Sequence, residues 1–453
     1  MFVELLPLLF FLTICAALML GYPVAFTLMG VSFFCAGIGM GFGVFDSAYL
    51  SLIPNRLYGV LINQNLIAIP LFIFMGTMLE KSNIAEALLK NMSLVFMGLP
   101  GGLGISTVVV GTLLAASTGI VGATVVAMGI LSLPTMLRAG YKSSLAAGTI
   151  CATGTLGQII PPSICLVLLG EVVSNAFQQS QLNAGEFNGG FVSIGDLFAG
   201  ALVPGIILVS IYALYLFCVG LVKPEFAPAT QVDEKRAVKS TFFALIKGLF
   251  PPLFLMIVVL GSIVVGIATP TEAASVGAIG AVLLAILKRE LTFEILKDVN
   301  LETLRVTSMV YLILIGAAIF SSVFRGFGGD IYIEELLVNL PGGVNSAVLV
   351  VMVLIFILGF ILDFIEITFM VIPVVGPVIL SMGVDPIWFG VMIAINLQTS
   401  FLTPPFGFSL FYLRSVAPPE LATIDIFKGV MPSVIFQIFL LVTLEVFPEI
   451  VTW

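Results

Sequence analysis

The chain has 453 residues, 60% of them hydrophobic and only 9% charged, with a net charge of −8 and no histidine. A water-soluble domain carries about 25% charged residues, so this composition excludes a soluble globular protein and requires a lipid bilayer over most of the surface. No basic stripe exists to neutralise phosphates, which excludes nucleic acid as a partner, and the lack of histidine removes the commonest general base and transition-metal ligand.

A spanning helix needs about 20 apolar residues. On that criterion the first spans fall near 2–21, 23–45 and 65–80. The start, Met1-Phe2-Val3-Glu4, lacks the basic region of a cleavable signal, so the first apolar stretch reads as a retained span. The stretch 103–136 is apolar but small and polar at its middle: Ser117-Thr118-Gly119-Ile120-Val121-Gly122-Ala123-Thr124. It reads as a re-entrant helical hairpin whose tip presents hydroxyls and flexible glycines.

The span expected at 143–172 is broken at Thr153-Gly154-Thr155-Leu156-Gly157-Gln158-Ile159-Ile160-Pro161-Pro162-Ser163. Pro161 and Pro162 donate no backbone hydrogen bond, and Gly154 and Gly157 permit non-helical dihedrals. Unwound backbone at this depth is tolerated only where protein buries it or a polar cavity adjoins it. Freed carbonyls and the hydroxyls of Thr153 and Thr155 are hard oxygen ligands suited to Na⁺. A half-helix starting at the prolines turns its positive end toward an anion. A plain proline kink is the competing reading.

The stretch 173–195 has no Lys or Arg and reads as a long outer loop before a span at 196–222. Segment 223–248, with Pro224, Pro228 and mixed charge, reads as a cytoplasmic linker. Spans follow near 249–267, 271–288 and 305–323, with Thr269 as a cap and Glu272 in the first turn behind it; Arg325 with Gly326, Gly328 and Gly329 reads as an outer-face turn.

A second hairpin, 345–380, carries Asp363-Phe364-Ile365-Glu366-Ile367-Thr368. Carboxylates at membrane depth are functional candidates by default. Their i,i+3 spacing puts Asp363 and Glu366 on one helix face, where they attract Na⁺, carry a proton, or share one. Alternatively Asp363 caps the second arm. The span at 386–414 is broken again, with Asn396, Gln398, Thr399, Ser400 and Thr403 before Pro404 and Pro405; a last span lies at 429–450. Paired interruptions of this kind point to a transport site. The donors singled out for Na⁺, at two or more sites, are Ser117, Gly154, Thr155, Asp363, Thr399 and Thr403.

With 223–248 placed in the cytoplasm, all of the 17 basic residues except Arg56 and Arg325 fall inside, a strong positive-inside bias that puts both termini outside. The two parts, 1–222 and 249–453, also match each other. Leu99-Pro100-Gly101-Gly102 returns as Leu340-Pro341-Gly342-Gly343, Gly140 as Gly383, and Ile160-Pro161-Pro162-Ser163 as Thr403-Pro404-Pro405-Phe406, at offsets of 241 to 243. The expected fold is an all-α polytopic membrane protein of two inverted repeats, each with five spans and one hairpin. The five cysteines lie in apolar runs without CxxC spacing and read as buried small hydrophobes. No Walker A, GxSxG or HExxH pattern occurs, so neither ATP hydrolysis nor a membrane hydrolase is expected, nor an organic cofactor.

The ordered set Gly21-Tyr22-Pro23-Val24-Ala25-Phe26, Ile160-Pro161-Pro162-Ser163, Thr269-Pro270-Thr271-Glu272-Ala273-Ala274, Gly383-Val384-Asp385-Pro386 and Thr403-Pro404-Pro405-Phe406-Gly407 resembles the large membrane subunit of tripartite ATP-independent periplasmic (TRAP) transporters over essentially the whole chain. That resemblance implies an elevator transporter with scaffold and transport domains in a bacterial inner membrane. It implies a small four-span membrane subunit and a soluble periplasmic binding protein as partners. It also implies a small carboxylate substrate, symport driven by Na⁺, and ion sites between hairpin tips and broken helices. A stand-alone Na⁺/carboxylate symporter and an ion channel are the alternative readings.

Overall fold

The computed structural model describes residues 5–82, 84–96, 98–185, 190–229 and 238–453. Expectations that rest on Met1–Glu4, on 186–189 of the outer loop, or on Lys235 and Arg236 of the linker lie outside the described residues.

The described chain is helical from end to end. The first helices are α1 (Leu6–Leu18), α2 (Val24–Gly41), α3 (Ala48–Ser51), α4 (Ile53–Ile62), α5 (Ala68–Lys81) and α6 (Ile84–Val95). Then come α7 (Gly102–Thr118), α8 (Val121–Leu131), α9 (Leu133–Arg138), α10 (Ser143–Thr155), α11 (Ile164–Asn183) and α12 (Ile194–Val222). The second part holds α13 (Val238–Val264), α14 (Pro270–Leu287), α15 (Phe293–Gly326), α16 (Gly329–Val338), α17 (Gly343–Leu358), α18 (Phe364–Met370) and α19 (Ile372–Ser381). It closes with α20 (Pro386–Leu402), α21 (Phe408–Val416) and α22 (Thr423–Val446). A chain in hydrocarbon must pair its own backbone groups, and a helix does so within one segment. Among the described residues six helices, with α8 and α9 taken together as 121–138, are long and apolar enough to cross a membrane, or up to eight if each of two bent pairs is one span.

Several boundaries differ from expectation. The outer loop foreseen at 173–195 is helical through Asn183, because its Gln and Asn residues continue the helix once Val172, Val173 and Ala176 are buried on one side. The linker foreseen at 223–248 gives way to helix at Val238, so the span expected at 249–267 is the later part of a longer helix. Helices α3, α4, α6 and α16 were not foreseen; all are too short to meet a full-span criterion. Thr269 caps α14 in a capping box with Glu272, as its sequence suggests. Positions paired by sequence take paired backbone conformations: Gly101 and Gly342 cap α7 and α17 at φ 70° and 103°, and Gly140 and Gly383 stand at φ 85° and 90°.

The chain divides into two compact units, 1–66 with 168–193 and 305–390, and 67–167 with 194–304 and 391–453. In the first, an aromatic cluster forms the centre: Phe10 stacks on Phe320 at 5.5 Å between ring centroids, and Phe327 meets Phe45 at 5.0 Å. In the second, α10 and α22 cross where Gly148 faces Gly429 so closely that any Cβ on either residue would strike the other helix's backbone. Here the absence of a side chain is what allows the two backbones to touch.

Gly429→Ala is therefore expected to overpack this crossing and cost about 1–3 kcal/mol, read as a lower thermal unfolding midpoint of the detergent-purified chain. Gly261→Ala, on an open face of α13, is expected to leave the stability unchanged or raise it by up to about 1 kcal/mol, read as an equal or higher midpoint.

Candidate functional site

The first hairpin and the first broken helix form one packed assembly in the second unit. Helix α7 ends at Thr118, and Gly119 turns the chain at φ 62°. A Cβ at Gly119 would lie 2.8 Å from the Ile164 nitrogen, so the turn needs glycine both for its dihedral and for this approach. Ile120 is extended and α8 begins at once. Across the turn the Thr118 and Thr124 hydroxyls are 2.8 Å apart, and the Ser117 hydroxyl donates to the Leu114 carbonyl at 2.8 Å. All three side chains are buried, while Gly122 lies against the Tyr412 ring.

Helix α10 runs through Thr155, tightens into a 3₁₀ turn at Leu156–Gln158, and unwinds only over 159–163. The break is thus shorter than the sequence suggested: Thr153, Gly154 and Thr155 stay helical, and the two glycines serve packing. Gly154 faces Val125, and Gly157 meets the Ala115 backbone. At the end of α10 the Thr153 carbonyl accepts from the Leu156 amide and the Ala152 carbonyl from the Thr155 hydroxyl, and the helix end is the negative pole of a half-helix. The Pro161–Pro162 bond is cis, both prolines are buried, and Ser163 accepts from the Leu166 amide at the start of α11.

The hydroxyls share one arrangement. Thr153 donates to the Thr149 carbonyl at 2.6 Å and Thr155 to that of Ala152 at 2.8 Å. In the second broken helix, Thr399 donates to Ile395 at 2.7 Å, Ser400 to Leu397 at 3.1 Å and Thr403 to Thr399 at 2.7 Å. A hydroxyl has one proton and two lone pairs. With the proton committed to the helix, the oxygen is left as an acceptor, which is the face a cation needs.

Gln158 and Gln398 stand out more sharply. Each is 0% exposed, and neither atom of either amide has a hydrogen-bond partner among the described residues. An unpaired buried amide costs about 1–3 kcal/mol, and such groups usually mark a ligand or a role. Asn396 lies in the same buried run. The second break differs from the first in exposure: Pro404, joined by a cis bond to Pro405, is half-buried, and Pro405 and Phe406 are exposed. Its second arm, α21, returns against α8 and α10, with the Cys151 thiol 3.6 Å from the Ser409 carbonyl.

Asp363, Glu366 and Thr368 belong to the first unit. Asp363 caps α18: its carboxylate accepts from the Phe364 amide at 2.7 Å, and Glu366 reaches back to the Asp363 amide at 3.1 Å. This is the capping alternative the sequence left open. Thr368, fully buried, has an unpartnered hydroxyl.

Sequence reasoning missed a cavity of about 530 Å³ in the first unit. Three helices turn a stripe toward it: Arg56 and Val60 of α4, with Asn63 just past its end; Glu171, Asn175 and Gln179 of α11; and Leu314, Ala318, Ser321 and Arg325 of α15. The i,i+4,i+8 row of Glu171, Asn175 and Gln179 was a legible signal, hidden because the expected span ended at 172 and the residues after it read as a loop.

Two stability results follow. Gln158→Leu is expected to raise the stability of the Na⁺-free chain by about 1 kcal/mol, seen as a higher melting midpoint. Asp363→Ala is expected to lower it by about 1 kcal/mol, with Asp363→Ser recovering most of the loss.

Comparison with known proteins gives four findings. The family described as "Tripartite ATP-independent periplasmic transporter, DctM component" matches residues 11–450. The ectoine/5-hydroxyectoine TRAP transporter large permease protein UehC of Ruegeria pomeroyi is 28% identical over 97% of this chain and 96% of its own length. The C4-dicarboxylate TRAP transporter large permease protein DctM of Vibrio cholerae is 28% identical over 98% and 96%. Among solved structures, the YdaH transporter of Alcanivorax borkumensis shares the fold, at a TM-score of 0.61 and 13% identity, over 89% of this chain and 87% of that one.

Proposed function

This chain belongs to the DctM component family of tripartite ATP-independent periplasmic transporters, and on that premise we propose that it is the substrate-translocating subunit of a Na⁺-driven importer of a small organic acid. The family is one of multi-span transport permeases, not of enzymes. Its description as tripartite supports two partners, a small four-span membrane subunit and a soluble periplasmic binding protein that delivers substrate. The relatives named for ectoine and for C4-dicarboxylates support a small organic substrate.

The observation that carries the coupling reading is Gln158: a fully buried, unpartnered amide at the end of a half-helix, beside a hairpin tip of acceptor-only hydroxyls. Na⁺ is cargo here, held by neutral oxygens of the kind Ser117, Thr155, Thr399 and Thr403 present and by the last-turn carbonyls around Gly154. Half-helix ends supply such sites in secondary transporters. Asp363 adds negative charge in the second hairpin. Substrate binds well only when ions hold the hairpin tips, and that linkage is reciprocal.

The transporting motion is an elevator in this proposal. The contacts of Gly119 with Ile164 and of Gly157 with Ala115 support a hairpin and broken helix that move as one rigid piece. The spans near 2–21, 23–45, 249–267 and 271–288, free of mid-membrane polar breaks, serve as scaffold. The two halves act as inverted repeats across a bacterial inner membrane, both termini on the periplasmic side.

The test is uptake by proteoliposomes holding this chain, its small membrane subunit and its binding protein, measured against Na⁺ concentration. Thr155→Val and Thr399→Val are each expected to raise the half-saturating Na⁺ at least about tenfold, a loss of about 1.4 kcal/mol per ion. Unaltered Na⁺ dependence in both variants ends the site assignment. Uptake of free substrate by the chain alone would move the reading to a stand-alone symporter.

A further inference from the structure

We propose that the cavity walled by Arg56 and Arg325 is an anion-binding site that takes the carboxylate group of the transported acid; the assignment rests on the transporter reading above. Two guanidinium groups line one space of about 530 Å³. Guanidinium is always charged, so the pair repels unless an anion lies between them. Among the described residues neither arginine forms an ion pair. Arg325 donates to the Gln179 carbonyl oxygen at 2.8 Å and Arg56 to the Ser321 hydroxyl at 3.5 Å, both neutral partners.

Among the described residues the one carboxylate on the cavity wall, Glu171, is committed elsewhere. Its two oxygens accept from Asn63 at 2.6 Å, Asn65 at 2.9 Å and Asn175 at 3.1 Å. Three neutral amides thus hold its charge while both guanidinia keep most of their five N–H donors free for a ligand. Planar, forked donors of this type match a carboxylate in bidentate fashion. The remaining wall, with Leu314, Phe369 and Pro373, is apolar and fits a short carbon body. The volume lies within the range of small-molecule sites, about 300–1,000 Å³.

Placement adds an independent line. Of the 17 basic residues, these two alone stand against the positive-inside bias of the sequence. They are 269 positions apart in the chain and come from different helices, α4 and α15, yet they reach one cavity. Residues that served only to anchor helix ends would have no reason to converge. In this reading the cavity is the outward mouth that receives the acid before the Na⁺-dependent step.

The experiment uses the full chain in lipid nanodiscs, in Na⁺-free buffer, with succinate and pyruvate as probes and neutral succinamide as control. Phenylglyoxal labelling, read by peptide mass spectrometry, reports on Arg56 and Arg325 in the unmutated protein. Both carboxylates are expected to slow modification of both arginines at least about fivefold, and succinamide to leave it unchanged. By calorimetry, Arg56→Gln and Arg325→Gln are each expected to weaken carboxylate binding at least about tenfold, with Arg→Lys at either position recovering part of the loss. Equal labelling with and without carboxylate overturns the proposal, as does unweakened binding in both Gln variants. Because no arm contains Na⁺, a failure of the coupling assignment leaves these results standing, and their failure leaves the uptake test intact.

Discussion

A chain that stops being helical inside hydrocarbon must find new partners for its carbonyls and amides, and most of what is distinctive in this protein follows from that demand. At 159–163 the interruption is enclosed by the first hairpin, whose glycine turn comes up against the restart of the helix at Ile164. The enclosure is protein rather than lipid, which is the condition for such a break to persist. It also leaves the ends of helices facing inward, where their partial charges are not screened by water.

Within that enclosure the polar groups are arranged with an imbalance. Hydroxyl protons are committed to helix carbonyls, while Gln158 and Gln398 keep both amide atoms unpaired. A folded core built only for stability would replace such glutamines with leucines, since unpaired buried amides oppose folding. Their cost makes sense where a third component completes the coordination. Close backbone contacts hold the arrangement, so these polar groups are preformed rather than adaptable.

The first unit uses charge differently. Asp363 and Glu366 together cap the N-terminus of α18 in a capping box, and Glu171 is held by three asparagine amides. Both arrangements quiet negative charge with neutral donors. The positive charge of Arg56 and Arg325 is not quieted in this way. Each arginine donates to one neutral partner, Ser321 for Arg56 and Gln179 for Arg325, and neither forms an ion pair among the described residues.

Composition and pattern alone carried the membrane class, the helical architecture, the two polar interruptions and the ordered motifs of the family. These are local or one-dimensional properties: apolar length sets a span, and a proline pair breaks it wherever it falls. The partners of a side chain are not local. Asp363 as cap or ion ligand looked the same in one dimension, because i,i+3 spacing serves both. Gln158 read as one of many candidate ligands until burial without a partner distinguished it from its neighbours. Arg56 and Arg325 read as markers of topology, since nothing in a linear chain indicates that two residues so far apart share a cavity. Packing settled these cases, because whether a charge or an amide is satisfied depends on atoms brought to it from distant parts of the sequence.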